Sequence, residues 1–518
     1  MVATGSAERA PGPSLLWRVP HDASASAAAP ACFGDLNLDQ VVATITAGRD
    51  EYDLRPFFHA PLPDVDAIAY RHEVFRDLED QALRAPVDAF ARGLRRMREQ
   101  RLQAAALHDV RQRQRLFLDA AATYCAAVTE FARALGQSEP RSRGLGALAA
   151  YLERYVGSAE FTTVCDEAAR VGRALAAVTY RLVLHQDRFS VQRATDDTDD
   201  GAAIERTFAK FGQRQTRLRT AKLPDDLAMN QIESAILERV ARLHPDVFGA
   251  LEAFALRHDG YLDATVAAFD REVQFYLAYL DYVGRFERNG LEFCYPLVSS
   301  GDKTVRVRAC FEPALAHRLL AHHETVVCND VQLDAPERIF VVTGANQGGK
   351  TTFARMFAQV HYLAALGCPV PGREARVFLF DQLLTHFEKE EDLGTLRGKL
   401  QDELVRMQAL LDSATPRSIV IMNEAFTSTT ARDALYLGSK VLQRLLGLGA
   451  LGIWVTFIDE LASLDDAIVS LVSGVDPDDP TVRTFELVRR PADGRAHAVA
   501  IAKAHRLTYD ELRERLGS

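Results

Sequence analysis

Between about Pro61 and Gly290 apolar residues recur at three-to-four spacing, the period that lays one apolar stripe along a helix. The stretch Asp88-Ala-Phe-Ala-Arg-Gly-Leu-Arg-Arg-Met-Arg98 shows it, as does Leu116 to Leu135. So does the run from Asn230 to Phe286, broken near Pro245. Few glycines interrupt these stretches, which predicts extended helical arms. After about Ser300 the texture changes, and short β-branched runs alternate with helical stretches. The predicted strands are Thr304–Cys310, Ile339–Thr343, Val377–Phe380, Ile419–Met422 and Ile453–Phe457. Val482–Val488 and Ala496–Ala502 flank Pro491-Ala-Asp-Gly494 and read as a β-hairpin. The pattern predicts a multidomain chain: a mainly α-helical region followed by an α/β P-loop domain of ABC type. Residues 1–55 form a leader, loosest in the Ala-, Ser-, Gly- and Pro-rich part up to about Ala31. Residues 56–300 are the helical region and 301–518 the α/β domain.

Composition narrows the class. At 518 residues the chain exceeds one ordinary domain. Hydrophobic content of 48% and charged content of 25% fit a soluble globular protein. A net charge of −10 argues against coating nucleic acid by charge alone, while leaving room for a local basic surface. Seven cysteines without a CxxC pair suit reduced thiols in a cytosol. No apolar run approaches the roughly 18 residues of a membrane span, and the N-terminus lacks a signal pattern. These features predict a cytoplasmic protein that does not enter a membrane.

The strongest chemical signal is Gly344-Ala-Asn346-Gln347-Gly348-Gly349-Lys350-Thr351-Thr352. It lies between an apolar β-branched run and a helical stretch, the setting in which GxxxxGKT is a phosphate-binding loop. Gly344, Gly348 and Gly349 let backbone N–H groups turn toward phosphate, and the helix aims its positive end at the same anion. Lys350 neutralises the β- and γ-phosphates, and Thr351 offers a hydroxyl to Mg²⁺. The alternative is a glycine-rich turn with an incidental lysine. Ser418-Ile-Val-Ile-Met-Asn423-Glu424 is the matching second strand. Strands of this kind end in an acidic pair, one for the magnesium shell and one to activate water. Here Asn423 carries no charge and serves the metal through water, while Glu424 remains as the base. The alternative is a buried strand ending in two polar cap residues.

The stretch from about 193 to 224 breaks the helical pattern with Thr195-Asp-Asp-Thr-Asp-Asp-Gly201 and a basic run. Arg206, Lys210, Arg214, Arg217, Arg219 and Lys222 face little opposing acid. Two readings stay open: the tip of an arm touching nucleic-acid phosphate, or a solvated helix face. The same two apply to Arg92–Arg115.

These residues resemble the MutS family of DNA mismatch-repair ATPases. Val327-Cys-Asn-Asp330 is similar to that family's Val-Pro-Asn-Asp element, and 343–352 to its Thr-Gly-Pro-Asn-Met-Gly-Gly-Lys-Ser-Thr. Glu424 is followed by Ala425-Phe-Thr-Ser-Thr-Thr430-Ala-Arg-Asp433, similar to a Gly-Thr-Ser loop; Val455-Thr456-Phe457 and Glu460-Leu461 sit where the family has Ala-Thr-His and Glu-Leu. The likeness is good over about Val326–Leu507. It is weaker at Pro61-Leu-Pro-Asp, Ile68-Ala-Tyr-Arg71 and Tyr295–Pro313. It implies a helical core and lever, a short clamp-like insertion near 193–224, and an ATPase domain that uses ATP and Mg²⁺. It also implies a homodimer through the ATPase domains, closing around duplex or branched DNA. Asn346 then holds the loop or the phosphates.

Four departures bear on the activity. The family's trans-acting serine falls on Gly398, with Arg397 and Lys399 beside it. Its γ-phosphate-sensing histidine falls on Phe457, its metal-binding aspartate on Asn423, and its adenine-stacking aromatic on Val326. Sixty residues precede Pro61 without a Phe-x-Glu wedge, which predicts a divergent member without mismatch-recognition and connector domains. The expected activity is slow ATP hydrolysis coupled to DNA, with a hydrolysis-poor nucleotide-gated clamp or scaffold as the alternative. A chromosome-maintenance or transport-type ATPase is disfavoured, because no Leu-Ser-Gly-Gly signature is present.

Overall fold

The computed structural model describes residues 12–18, 28–185, 188–194, 229–388, 398–476, 482–492 and 513. Contacts divide it into two compact units. One holds the described residues of 1–13, 80–141 and 145–270; the other holds those of 14–79, 142–144 and 271–518.

The first unit is helical, as the three-to-four spacing predicts. Helices Gln81–Ala106 and Val110–Ser138 run back on each other through a three-residue turn. Asp80 and Asp109 cap them, accepting the amides of Ala82 and of Arg111 and Gln112. The pair approaches closely at Gly93, where a Cβ would lie 2.7 Å from that of Ala127. Phe90, Phe131 and Phe269 stack in the core with centroids 4.6 to 5.4 Å apart. Pro245 ends one helix, Gln231–Leu243, and opens the next, Pro245–Arg257, because its missing N–H is tolerated only in a first turn. An antiparallel ribbon, Tyr180–His185 with Arg188–Arg193, interrupts the helices where the periodicity gave no strand. In the basic stretch 92–115, Arg98 pairs with Asp270, Arg115 with Asp119, and Arg101 lies over Tyr261.

The second unit contains the α/β part. Its six-stranded sheet runs in the order 383–387, 419–423, 451–455, 339–344, 468–475, 483–489. The first five strands are parallel and the last is antiparallel. Val305–Cys310 and Glu374–Phe378 join 297–299 and 329–333 in a separate four-stranded sheet. The described hairpin partner of Arg483–Arg489 is Ile468–Val475; Ala496–Ala502 lies outside the described residues.

Helix Lys350–Ala365 is buried along nearly its whole circumference. Its polar groups are therefore paired inward: Gln359 donates to Leu36 O at 2.7 Å and Tyr362 to Phe58 O at 2.8 Å. The opposite face of the sheet packs Val341, Met422 and Trp454 against Met407, Leu442 and Leu445. Ser14–Leu16, inside the stretch read as a leader, is anchored. Leu15 and Leu16 are buried, the Leu15 amide donates to Glu272 at 2.6 Å, and Tyr276 and Arg71 donate to the Leu15 and Leu16 carbonyls. A single apolar Leu-Leu-Trp triplet suffices for this, and the surrounding alanine-rich composition hides it. No helix among the described residues is long and apolar enough to cross a membrane.

Candidate functional site

The strand Ile339–Gly344 ends in a loop that wraps the start of helix Lys350–Ala365. Three of its residues have positive φ: Gly344 at 106°, Gln347 at 59° and Gly349 at 88°. Two glycines are required by space as well. A Cβ on Gly344 would meet Ser473 Oγ at 2.5 Å, and one on Gly348 would meet it at 2.6 Å. The loop therefore passes too close to Ser473 for a side chain at either glycine.

Lys350 is buried to 5% exposure, and its ammonium is fully employed. Nζ donates to Gly344 O at 2.8 Å and Ala345 O at 3.0 Å, and lies 4.6 Å from the centre of the Phe457 ring. Burial pushes its pKa down; the Glu424 carboxylate opposes this and Arg483 reinforces it. Asn346 and Gln347 are exposed, and the Asn346 carbonyl accepts from Arg483 Nε at 3.2 Å. Thr352 follows on the first helical turn, half-buried.

Between the loop strand and the Asn423 strand lies one further strand, 451–455. The gap is bridged at the top: Thr351 Oγ1 donates to Asn423 Oδ1 at 2.8 Å. The next residue, Glu424, has φ 55° and hangs its amide on Val455 O at 2.9 Å. A glutamate held in the left-handed region costs roughly 1–2 kcal/mol and persists only where neighbours over-determine it.

Thr351 and Asn423 present hard oxygen donors side by side, which suits magnesium, but neither is charged. Among the described residues no group of three or more His, Cys, Asp or Glu side chains is placed to hold a metal. The donor set therefore fits a magnesium ion that arrives with phosphate oxygens, and not one held by protein alone.

Arg206, Lys210, Arg214, Arg217, Arg219 and Lys222 lie outside the described residues, as do Thr395 to Arg397. Gly398 is the N-cap of helix Lys399–Ser413 and supplies no side-chain hydrogen bond there.

Sequence reasoning missed three residues at this site. Phe485 has φ 60° on a bulged strand, and its Cα stands 3.7 Å from where Gly349 would carry a Cβ. Asn329 holds that bulge, donating to Phe485 O at 3.1 Å and accepting the Leu487 amide at 2.7 Å. Arg483 borders the same loop. Glu403 is the third, buried on helix Lys399–Ser413. A signal for it existed: Leu400, Glu403, Met407 and Leu410 share one helix face, so an acid occupies a core position. Burial acts to raise the Glu403 pKa, yet the His386 ring and the Phe426 amide outweigh it and hold the carboxyl below its ordinary value.

Comparison with known proteins agrees with this geometry. Residues 340–507 match the family model for MutS domain V. The DNA mismatch repair protein MutS of Granulibacter bethesdensis is 29% identical over 249 residues, 48% of this chain and 26% of that protein. That of Chlorobaculum tepidum is 26% identical over 285 residues, 53% of this chain and 31% of the relative. That of Zymomonas mobilis is 32% identical over 175 residues, 32% and 20% of the two chains. The matched region spans between a fifth and a third of the length of these relatives.

Proposed function

We propose that this chain, which is similar to the MutS proteins and matches the MutS domain V model over residues 340–507, is a MutS-type ATPase acting on DNA. The Thr351–Asn423 contact carries the reading, because it joins the end of a phosphate-binding loop to the end of the strand that delivers Glu424. Gly344, Asn346, Gln347, Gly348 and Gly349 receive the triphosphate on backbone N–H groups. Lys350 swings from its carbonyl partners to the β- and γ-phosphates. Thr351 and Asn423 would hold the magnesium that accompanies the nucleotide, Thr351 directly and Asn423 through water. Magnesium bound with the nucleotide neutralises charge on the transferring phosphoryl group. Glu424 takes the proton of the attacking water and orients it for in-line attack.

The relatives are named for DNA mismatch repair, and we extend DNA to this chain as the ligand that stimulates turnover. Arg206, Lys210, Arg214, Arg217, Arg219 and Lys222 are the proposed phosphate contacts. Two copies pair through their 301–518 domains, and ATP closes the helical region, residues 56–300, around duplex or branched DNA.

A second reading, a clamp that holds ATP and scarcely hydrolyses it, is favoured by one observation. Phe457 places an apolar ring on Lys350, where charge on the γ-phosphate needs polar partners. Steady-state hydrolysis of Mg-ATP, with and without duplex and branched DNA, separates the two. The ATPase reading expects slow turnover that rises with DNA and vanishes in Lys350→Ala and Glu424→Ala. Equal background rates in all three proteins, with ATP binding intact, establish the clamp instead.

A further inference from the structure

We propose that Glu403 is a positioning residue that sets the orientation of Glu424 and ties it to the start of helix Lys399–Ser413; this rests on the reading of Glu424 as the base. The loop after Glu424 has an unusual backbone. Glu424 and Phe426 both have positive φ, 55° and 64°. Two such residues, neither glycine, cost roughly 2–4 kcal/mol together, so the conformation must be imposed from outside. Two amides show where. Glu424 N–H donates to Val455 O, the last rung of the sheet, and Phe426 N–H donates to Glu403 Oε1 at 2.6 Å.

Glu403 is suited to little else. It is 5% exposed, and its other oxygen accepts from Ser428 Oγ at 3.4 Å, again in the Glu424 loop. His386 Nε2 lies 3.5 Å from Oε1 and supplies partial positive charge behind it. A buried carboxylate costs several kcal/mol unless such groups compensate it, and an amide-only role could be filled by a neutral side chain. A charged acceptor instead gives a hydrogen bond about twice as strong as a neutral one, at the point where the loop is most strained.

A second carboxylate ties the same two elements. Glu388 pairs with Lys399 Nζ at 2.5 Å and accepts from Thr427 Oγ1 at 3.4 Å. Thr427 thus leans on Glu388, which pairs with the first residue of helix Lys399–Ser413, and Ser428 leans on Glu403 one turn further along. Any displacement of that helix end is transmitted through Glu403 to the peptide two residues beyond Glu424.

Kinetics on four proteins test this. Glu403→Ala should lower kcat for Mg-ATP at least tenfold while KM and ATP affinity change less than threefold. Glu403→Gln, which keeps one acceptor oxygen but no charge, should recover only part of the loss. If Glu403→Ala fails to fold, Glu403→Asp carries the comparison, since it keeps the charge but is a methylene too short for the Phe426 amide. Full turnover in Glu403→Ala or Glu403→Asp, or a loss shared equally by kcat and ATP affinity, overturns the positioning role alone. No Lys350-dependent turnover in the unsubstituted protein overturns the reading of Glu424 and the positioning role with it.

Discussion

The Thr351 hydroxyl stands 2.8 Å from Asn423 Oδ1, joining two segments that are 72 residues apart in the chain. Thr351 opens the helix that follows the 339–344 strand, Asn423 ends the 419–423 strand, and the parallel strand 451–455 lies between those two strands in the sheet. Such a contact arises only where a sheet gathers the carboxyl ends of its strands at one rim, the usual place for a ligand in open α/β sheets.

Asn423 offers a test of the proposed magnesium site. Asn423→Asp adds a charge beside Thr351 without adding volume. It should lower the magnesium concentration for half-maximal nucleotide binding by about tenfold, roughly 1.4 kcal/mol. Magnesium titrations at fixed ATP measure it. An unchanged midpoint would mean that Asn423 does not face the metal.

Glu424 is expected to separate stability from activity. At φ 55°, Glu424→Gly relieves backbone strain, so the melting temperature should hold or rise, by up to about 1 kcal/mol of stability. ATP turnover should disappear in the same protein. Thermal melts and a hydrolysis assay on one preparation test both halves.

Phe457 holds Lys350 in competition with phosphate. Removing the ring in Phe457→Ala forfeits a cation–π contact of about 0.5–1 kcal/mol in the free protein. ATP affinity should therefore improve by about two- to fivefold, read by equilibrium binding. Weaker binding would show that the ring contacts nucleotide directly.

Stability should fall in mild acid. His72 and His361 are buried, and burial pushes each pKa from the ordinary 6.5 down to about 4. Below 6.5 the unfolded chain takes up protons that the folded chain refuses. Their stabilisation is complete above pH 6.5 and is lost as pH falls toward 4, at up to about 1.4 kcal/mol per pH unit for each histidine. Urea unfolding between pH 4.5 and 7.5 should show this slope, reduced in His361→Phe. Identical slopes in both proteins would refute the assignment to His361.

Much of this was legible in the chain because local pattern and chemistry coincide. The loop 344–352 announces itself by glycine spacing between an apolar strand and a helix, and the structure forms strand, loop and helix there. The long helices follow from three-to-four spacing because one face is buried throughout. What escaped depends on contacts distant in sequence. Leu383–Phe387 is interrupted by Thr385 and His386, which read as polar until Asp35 and Glu403 are seen beside them. Arg483 and Phe485 reach the loop only through a bulge pinned by Asn329, more than 150 residues away in the chain. Glu403 is marked by its place on the apolar face of its helix, but the amide it accepts from, that of Phe426, lies 23 residues away.

Equilibrium binding of ATP, with and without magnesium, to the intact protein and to Lys350→Ala tests the central claim most directly. The account predicts magnesium-enhanced binding to the unsubstituted protein and a loss of at least a hundredfold in the variant, with the fold preserved by circular dichroism. Equal affinity in the two proteins, or no binding by either, would contradict a nucleotide site at 344–352.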